Sequence, residues 1–216
     1  STELDSRIAS ARNQLGSQAV VLGHHYQREE VIRYADVTGD SFKLAEFAAA
    51  SSQAEYIIFC GVHFMAETAD ILSADSQKVI LPNMTAGCSM ADMAPSDDVL
   101  DCWDDLVNLL GEDKIMPMTY MNSTAAIKAL CGSNGGIVCT SANATRAMEW
   151  AFERREKVLF LPDQHLGRNS AIKLGIPADK CVLWNPYKPL GGLTAEQIID
   201  AKIILWRGHC SVSTLS

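Results

Sequence analysis

Residues 157–175 read "KVLFLPDQHLGRNSAIKLG", and the fold follows from how that stretch divides. Positions 158–161 form a continuous apolar run of strand length. The Pro162–Asp163 pair breaks the run, and positions 168–174 carry helical spacing that stops at Gly175. A strand apolar on both faces, followed at once by a helix, belongs to a parallel sheet. Parallel strands need a crossover, and the crossover helices bury both faces. The same alternation runs along the whole chain. Strand-like runs are "QAVVLGHH", "EYIIFCG", "KVILPN", "KIMPMTYM", "GGIVCTS", "KVLFLPD", "KCVLWNP" and "KIILWRG". Helix-like stretches such as "SFKLAEFAAASS", "MAETADILS", "STAAIKAL", "NATRAMEWAFERR" and "TAEQIIDAK" lie between them. The pattern predicts an α/β protein with small parallel sheets.

The sequence also echoes itself. "AVVLGHHYQ" is similar to "IMPMTYMNS", "YIIFCGVHFMAE" to "KVLFLPDQHLGRN", and "KVILPNMTAGC" to "KIILWRGHC". The intervals are roughly 95 to 120 residues, which predicts two copies of one small α/β domain. The acidic stretch "MAPSDDVLDCWDDLVNLLGEDK" is expected to separate them as a surface helix and connection. This places a first domain at residues 1–95 and a second at 96–212. Each copy closes on a strand, a glycine and a cysteine, which sets Cys88 and Cys210 apart from the other five cysteines.

Composition narrows the function. With 48% hydrophobic and 20% charged residues the chain is ordinary for a globular protein. Its apolar runs fall well short of the roughly 20 residues of a membrane span. A net charge of −8 argues against a nucleic-acid partner, which needs a basic footprint. The seven cysteines are odd in number, widely spaced and without a CxxC pair. They argue against a zinc ribbon, and, with no signal-peptide core, for reduced thiols in a cytoplasmic protein. Cys60, Cys139 and Cys181, set in apolar runs, read as buried structural thiols.

Three turns, "TGDSFKL", "YMNSTAA" and "CTSANAT", put Ser, Thr, Asp or Asn where the next helix begins. N-capping accounts for part of this, at about 1 kcal/mol a cap. The functional reading is that several helix N-termini converge on one anionic ligand at the carboxyl ends of the strands. "GHHYQ" ends the first strand at that same edge, with His24 suited to moving protons and Tyr26 to donating to an oxyanion. In an extended chain His24 and His25 point opposite ways, so at most one is expected to face a ligand. Glu67 is expected as a cap at a helix start, and Asp163, His165 and Arg168 in a loop. No HExxH or paired-Cys spacing supports a zinc hydrolase.

Eight segments, "LGHHYQ", "TGDSFKLA", "GVHFMAETADIL", "PNMTAGCSMADM", "YMNSTAAIKA", "CTSANA", "LPDQHLGRN" and "WRGHCSV", run in one order from Leu22 to Val212. Together they resemble the quinolinate synthase family, iron–sulfur enzymes of NAD biosynthesis. The resemblance implies three αβα sandwich domains related by pseudo-threefold symmetry, each giving one Cys to a single [4Fe–4S] cluster whose fourth iron takes substrate. Cys88 matches the first cluster ligand and Cys210 the second, with Gly208 expected to let the backbone approach the metal. The family condenses iminoaspartate with dihydroxyacetone phosphate to quinolinate, with a functional link to L-aspartate oxidase.

Carried over by position, His24, Tyr26 and Tyr120 match catalytic residues. His24, Asp40, Ser41, Tyr120, Asn122 and Ser141 match substrate-binding ones. The resemblance holds through Val212 and departs at Ser213, and the third domain is expected to be absent from this chain. The contrasting expectation is an inactive two-domain fragment that binds dicarboxylates without a stable cluster, since two thiolates leave four irons short of ligands.

Overall fold

The computed structural model describes residues 2–208. The chain forms two compact units, the first ending at Gly87 and the second beginning at Cys88. Each is built on its own wholly parallel sheet.

The first unit runs α1 (Thr2–Leu15), β1 (Ala19–His24), α2 (Glu29–Ile32), β2 (Val37–Gly39), α3 (Ser41–Ala50), β3 (Tyr56–Cys60), α4 (His63–Leu72) and β4 (Lys78–Ile80). Its strand order is β2-β1-β3-β4, with Leu22 beside Val37, Val21 beside Ile58 and Ile57 beside Val79. α3 buries Leu44, Ala45 and Ala48, and α4 buries Phe64, Met65, Ala66 and Ala69. Leu22, Ile57 and Phe59 are wholly buried from the strands. β2 is a three-residue strand, "VTG", with no apolar run to announce it.

The second unit runs α5 (Ser89–Asp92), α6 (Ser96–Leu110), β5 (Ile115–Tyr120), α7 (Ala125–Ser133), β6 (Ile137–Cys139), α8 (Ala144–Phe152), β7 (Lys157–Leu161), α9 (Gln164–Lys173), β8 (Cys181–Trp184), α10 (Ala195–Asp200) and β9 (Ile203–Trp206). Strand order is β6-β5-β7-β9-β8. Alternate residues serve opposite faces, as the strand period of two requires. Leu159, Leu161, Ile204 and Trp206 pack in one core with Val99, Trp103 and Leu106 of α6. Val158, Phe160, Ile203 and Leu205 pack in another with Ala144, Met148 and Ala151 of α8 and Ala171 of α9. Both faces are helix-covered, which makes this unit an αβα sandwich. The buried Trp206 indole N–H is satisfied by the Met93 carbonyl at 2.9 Å.

The echo in the sequence is a repeat in the fold. β1, β2, β3 and β4 hold the places of β5, β6, β7 and β9, and β8 is an added edge strand. One expectation is corrected. The acidic stretch does carry a helix, α6, but it lies within the second unit rather than between the two: it buries Val99, Cys102, Trp103 and Leu106 in that unit's core, and its other face is acidic. Among the described residues no helix is long and apolar enough to cross a membrane.

Candidate functional site

Because every strand of a unit points the same way, the strand-to-helix turns gather at one edge of its sheet, where α/β proteins place ligands. In the first unit that edge carries His24, His25 and Tyr26 after β1, Asp40 and Ser41 after β2, and His63 after β3. The rings of His24 and His25 do not diverge. The chain turns directly after His24, where the Gln27 N–H donates to the His24 carbonyl at 2.8 Å. The imidazoles stack at 4.4 Å, and Tyr26 lies edge-on to them at 4.9 and 4.3 Å. Strand alternation stops where the strand stops. His24 is buried, His25 is exposed, and Tyr26 is 82% exposed.

The backbone assigns tautomers to both histidines. The Tyr26 N–H donates to His24 Nδ1 at 3.3 Å, so the neutral ring carries its proton on Nε2. His25 Nδ1 lies 3.0 Å from the Gly39 carbonyl, which can only accept, so His25 keeps Nε2 as an acceptor. The pair therefore offers one donor and one acceptor. Burial holds the His24 pKa below the usual value, His25 pushes it the same way, and Asp40 opposes them. The unfolded chain thus binds a proton first as pH falls. The stability His24 contributes is whole above its unfolded pKa, near 6.5, and is lost as pH falls through the lower folded value. We expect first-unit stability in urea to drop between pH 7 and 5, and His24→Asn to flatten that slope. An unchanged slope would refute the assignment.

Asp40 caps α3, accepting the Lys43 N–H at 2.9 Å. Ser41, in the first turn of α3, is half-buried beside it. Glu67 is not a cap: it sits a turn into α4, its Oε1 3.6 Å from His63 Nδ1. His63 was not singled out in the sequence. Only the i, i+4 spacing to Glu67 could have marked it.

In the second unit the edge carries Tyr120 and Asn122 after β5, Ser141 after β6, and Asp163 after β7. Tyr120 is half-buried. Burial is the first cause that raises its pKa, and the neighbouring Cys139, Asp163 and Cys88 add to it, against a hydrogen bond with Ser141. The structure thus brings Tyr120, Ser141 and Cys88 together. Asn122 lies half-buried in the turn that Thr124 caps, and Ser141 is exposed.

Asp163, His165 and Arg168 do not form a loop. Asp163 is buried and caps α9, accepting from the His165 N–H at 2.7 Å and the Leu166 N–H at 3.3 Å. His165 and Arg168 follow inside that helix. Gly208 bridges to Asp163, with its carbonyl accepting the Gln164 N–H at 2.8 Å. A Cβ on Gly208 would fall 2.3 Å from the Pro162 carbonyl oxygen. That close backbone approach accounts for the glycine. Gly208→Ala is expected to destabilise the second unit by roughly 2 kcal/mol or more in denaturant unfolding. A loss within error would show that the backbone shifts freely there.

A thiolate ligand must be ionisable and reachable. Cys102, Cys131, Cys139 and Cys181 are buried. Burial pushes the Cys139 thiol up to about 12 and raises the Cys131 thiol strongly. Cys60 is half-buried and also raised by burial. Cys88, half-buried at the start of α5 and beside Tyr120, fits the donor chemistry of an iron–sulfur ligand. Cys210 lies outside the described residues, two positions beyond Gly208. Among the described residues no group of three or more His, Cys, Asp or Glu could hold a metal ion, so they do not complete a ligand set by themselves.

A family model described as "Quinolinate synthetase A protein" matches residues 6–215, three positions past the Val212 at which the eight-segment resemblance stops. The chain is 60% identical over 211 residues to a quinolinate synthase of Streptomyces coelicolor, covering 97% of this chain and 54% of that protein. It is 60% identical over 210 residues to one of Corynebacterium glutamicum, with 97% and 53% covered. A third, from Acidobacterium capsulatum, is 60% identical over 210 residues, with 97% and 56% covered. The chain spans about half the length of these curated relatives.

Proposed function

The chain belongs to the quinolinate synthetase A family, and from that premise we propose that it carries two repeats of a quinolinate synthase. The reaction is condensation of iminoaspartate with dihydroxyacetone phosphate to quinolinate, in the cytoplasm. L-aspartate oxidase is the proposed source of the iminoaspartate. The observation that supports this reading most is the repeat itself: two sheets of matching strand order present His24, Ser41, Tyr120 and Ser141 at their carboxyl edges.

Cys88 and Cys210 would be two of the ligands of a [4Fe–4S] cluster. When bound, the cluster supplies Lewis acidity toward a hydroxyl or carboxylate of the substrate. The remaining work falls to the chain's own groups. Ser41 and the free N–H groups in the first turn of α3 bind a carboxylate, and Ser141 a carboxylate or phosphate. Asp40 has its carboxylate committed to the α3 cap and orients that turn. His24 donates from Nε2 and His25 accepts at Nε2, so proton removal and delivery can proceed at adjacent rings. Tyr26 adds a solvent-facing phenol beside them, and Asn122 an amide next to Tyr120.

The test is anaerobic reconstitution, with iron and sulfide, of a full-length polypeptide that carries these two repeats, then assay of quinolinate from the two substrates. Cluster-dependent quinolinate formation is expected. Iron uptake without quinolinate would overturn the reading. Quinolinate binding by a protein that takes up no iron is the result expected of an inactive two-domain fragment.

A further inference from the structure

Helices α1 and α6 hold the same place in the two repeats. Each precedes the first strand of its sheet, and each runs into a glycine of positive φ, Gly16 at 51° and Gly111 at 89°. Aligned on those glycines, Ala11 stands where the second unit has Leu106, Ile8 where it has Trp103, and Leu4 where it has Val99. The three α6 residues are buried in a core with Ile115, Leu159 and Ile204. Their smaller or displaced counterparts do not fill the equivalent space: Ile8 is half-buried, Ala11 is exposed and Leu4 is 54% exposed.

An open cavity of about 1120 Å³ remains between α1 and strands β1 and β3, reaching the last turn of α3. Its walls include Ile8, Leu15, Val21, Phe47, Ile58 and Cys60. Val21 and Ile58 are register partners, so they face it from one side of the sheet. α1 is held over this space by polar ties. Arg33 pairs with Asp5 at 2.5 Å, the Tyr34 hydroxyl donates to Asp5, and Arg12 reaches both Asp36 and the Tyr34 carbonyl. The charged residues of the wall already have partners, Arg12 with Asp36 and Glu30 with Arg28, so no lining charge calls for a charged ligand.

We infer that this cavity is a binding site for a neutral apolar small molecule, whose aromatic or branched aliphatic group takes the place that Trp103 and Leu106 take in the second unit. Apolar cavities that protein side chains leave unfilled bind such molecules, because the lining gains the contacts it lacks. The site is separate from the carboxyl-edge residues and does not rest on the proposed activity.

Indole is the probe, and Cys60 is the reporter in the wall. With indole at about ten times its Kd, alkylation of Cys60 by a neutral haloacetamide should slow about tenfold while that of Cys88 does not change. The thermal midpoint should rise with it. Ile8→Trp with Ala11→Leu, which copies the α6 filling, should raise the midpoint without indole and abolish the protection. Ala11→Leu alone should reduce it, and serves if the double variant does not fold. An indole-independent Cys60 rate, or equal protection in the filled variants, overturns the inference.

Discussion

Cys88→Ala is expected to leave the reconstituted protein without the visible absorption of an iron–sulfur cluster and without quinolinate formation. The proposed cluster would lose a thiolate while one of its irons is already without a protein ligand, and methyl cannot replace it. Among the described residues the other thiol that acts on Tyr120, Cys139, is poorly suited to substitute: it is buried and pushed up to about 12. The fold should survive, because Cys88 is half-buried and its side chain makes no cap bond to α5. Loss of stability should stay within roughly 1 kcal/mol. Cys102→Ala gives the converse: it opens a hole in the α6 core and should cost stability while the cluster is retained. Cys210→Ala should behave like Cys88→Ala. A Cys88→Ala protein that keeps its iron, its colour and its turnover would remove Cys88 from the ligand set.

Tyr120→Phe is expected to lower turnover by about 10²- to 10⁴-fold, the usual contribution of a positioned proton donor. Quinolinate affinity should fall far less, by about tenfold at most, the scale of one lost hydrogen bond. Burial and the adjoining Cys139, Asp163 and Cys88 disfavour the phenolate, so the group keeps its proton at neutral pH and is suited to give it up only to charge that develops in the reaction. That is the signature of an interaction stronger in the transition state than in the ground state. Equal losses in turnover and in product affinity would leave Tyr120 a binding role and nothing more. Ser141→Ala should reproduce a smaller part of the turnover loss, since Ser141 hydrogen-bonds the same phenol.

Much of this was legible in the chain. Strand runs apolar on both faces announce a sheet helix-covered on both sides, and 158–161 serves two cores at once, through Val158 and Phe160 on one face and Leu159 and Leu161 on the other. The long-period echo marks the repeat. β2 was missed because three residues, one of them glycine, form no run; pairing with β1 makes it a strand. Asp163 looked like a loop residue for a related reason. Its buried carboxylate caps α9 two residues after the end of β7, and a helix that starts on Gln164 and His165 has no apolar spacing in its first turn.

By itself the sequence determined the class of fold, the repeat, the segments proposed to carry the site and the family they belong to, because these depend on local periodicity and on the order of motifs. The tertiary structure alone decided which way individual groups act. A turn after His24 stacks two rings that an extended chain would separate. The Pro162 carbonyl demands glycine at 208. α6 buries Val99, Trp103 and Leu106 in a core, whereas Leu4, Ile8 and Ala11 at the matching places of α1 line a cavity. These outcomes depend on what packs opposite a residue, and a linear sequence does not state its neighbours in space.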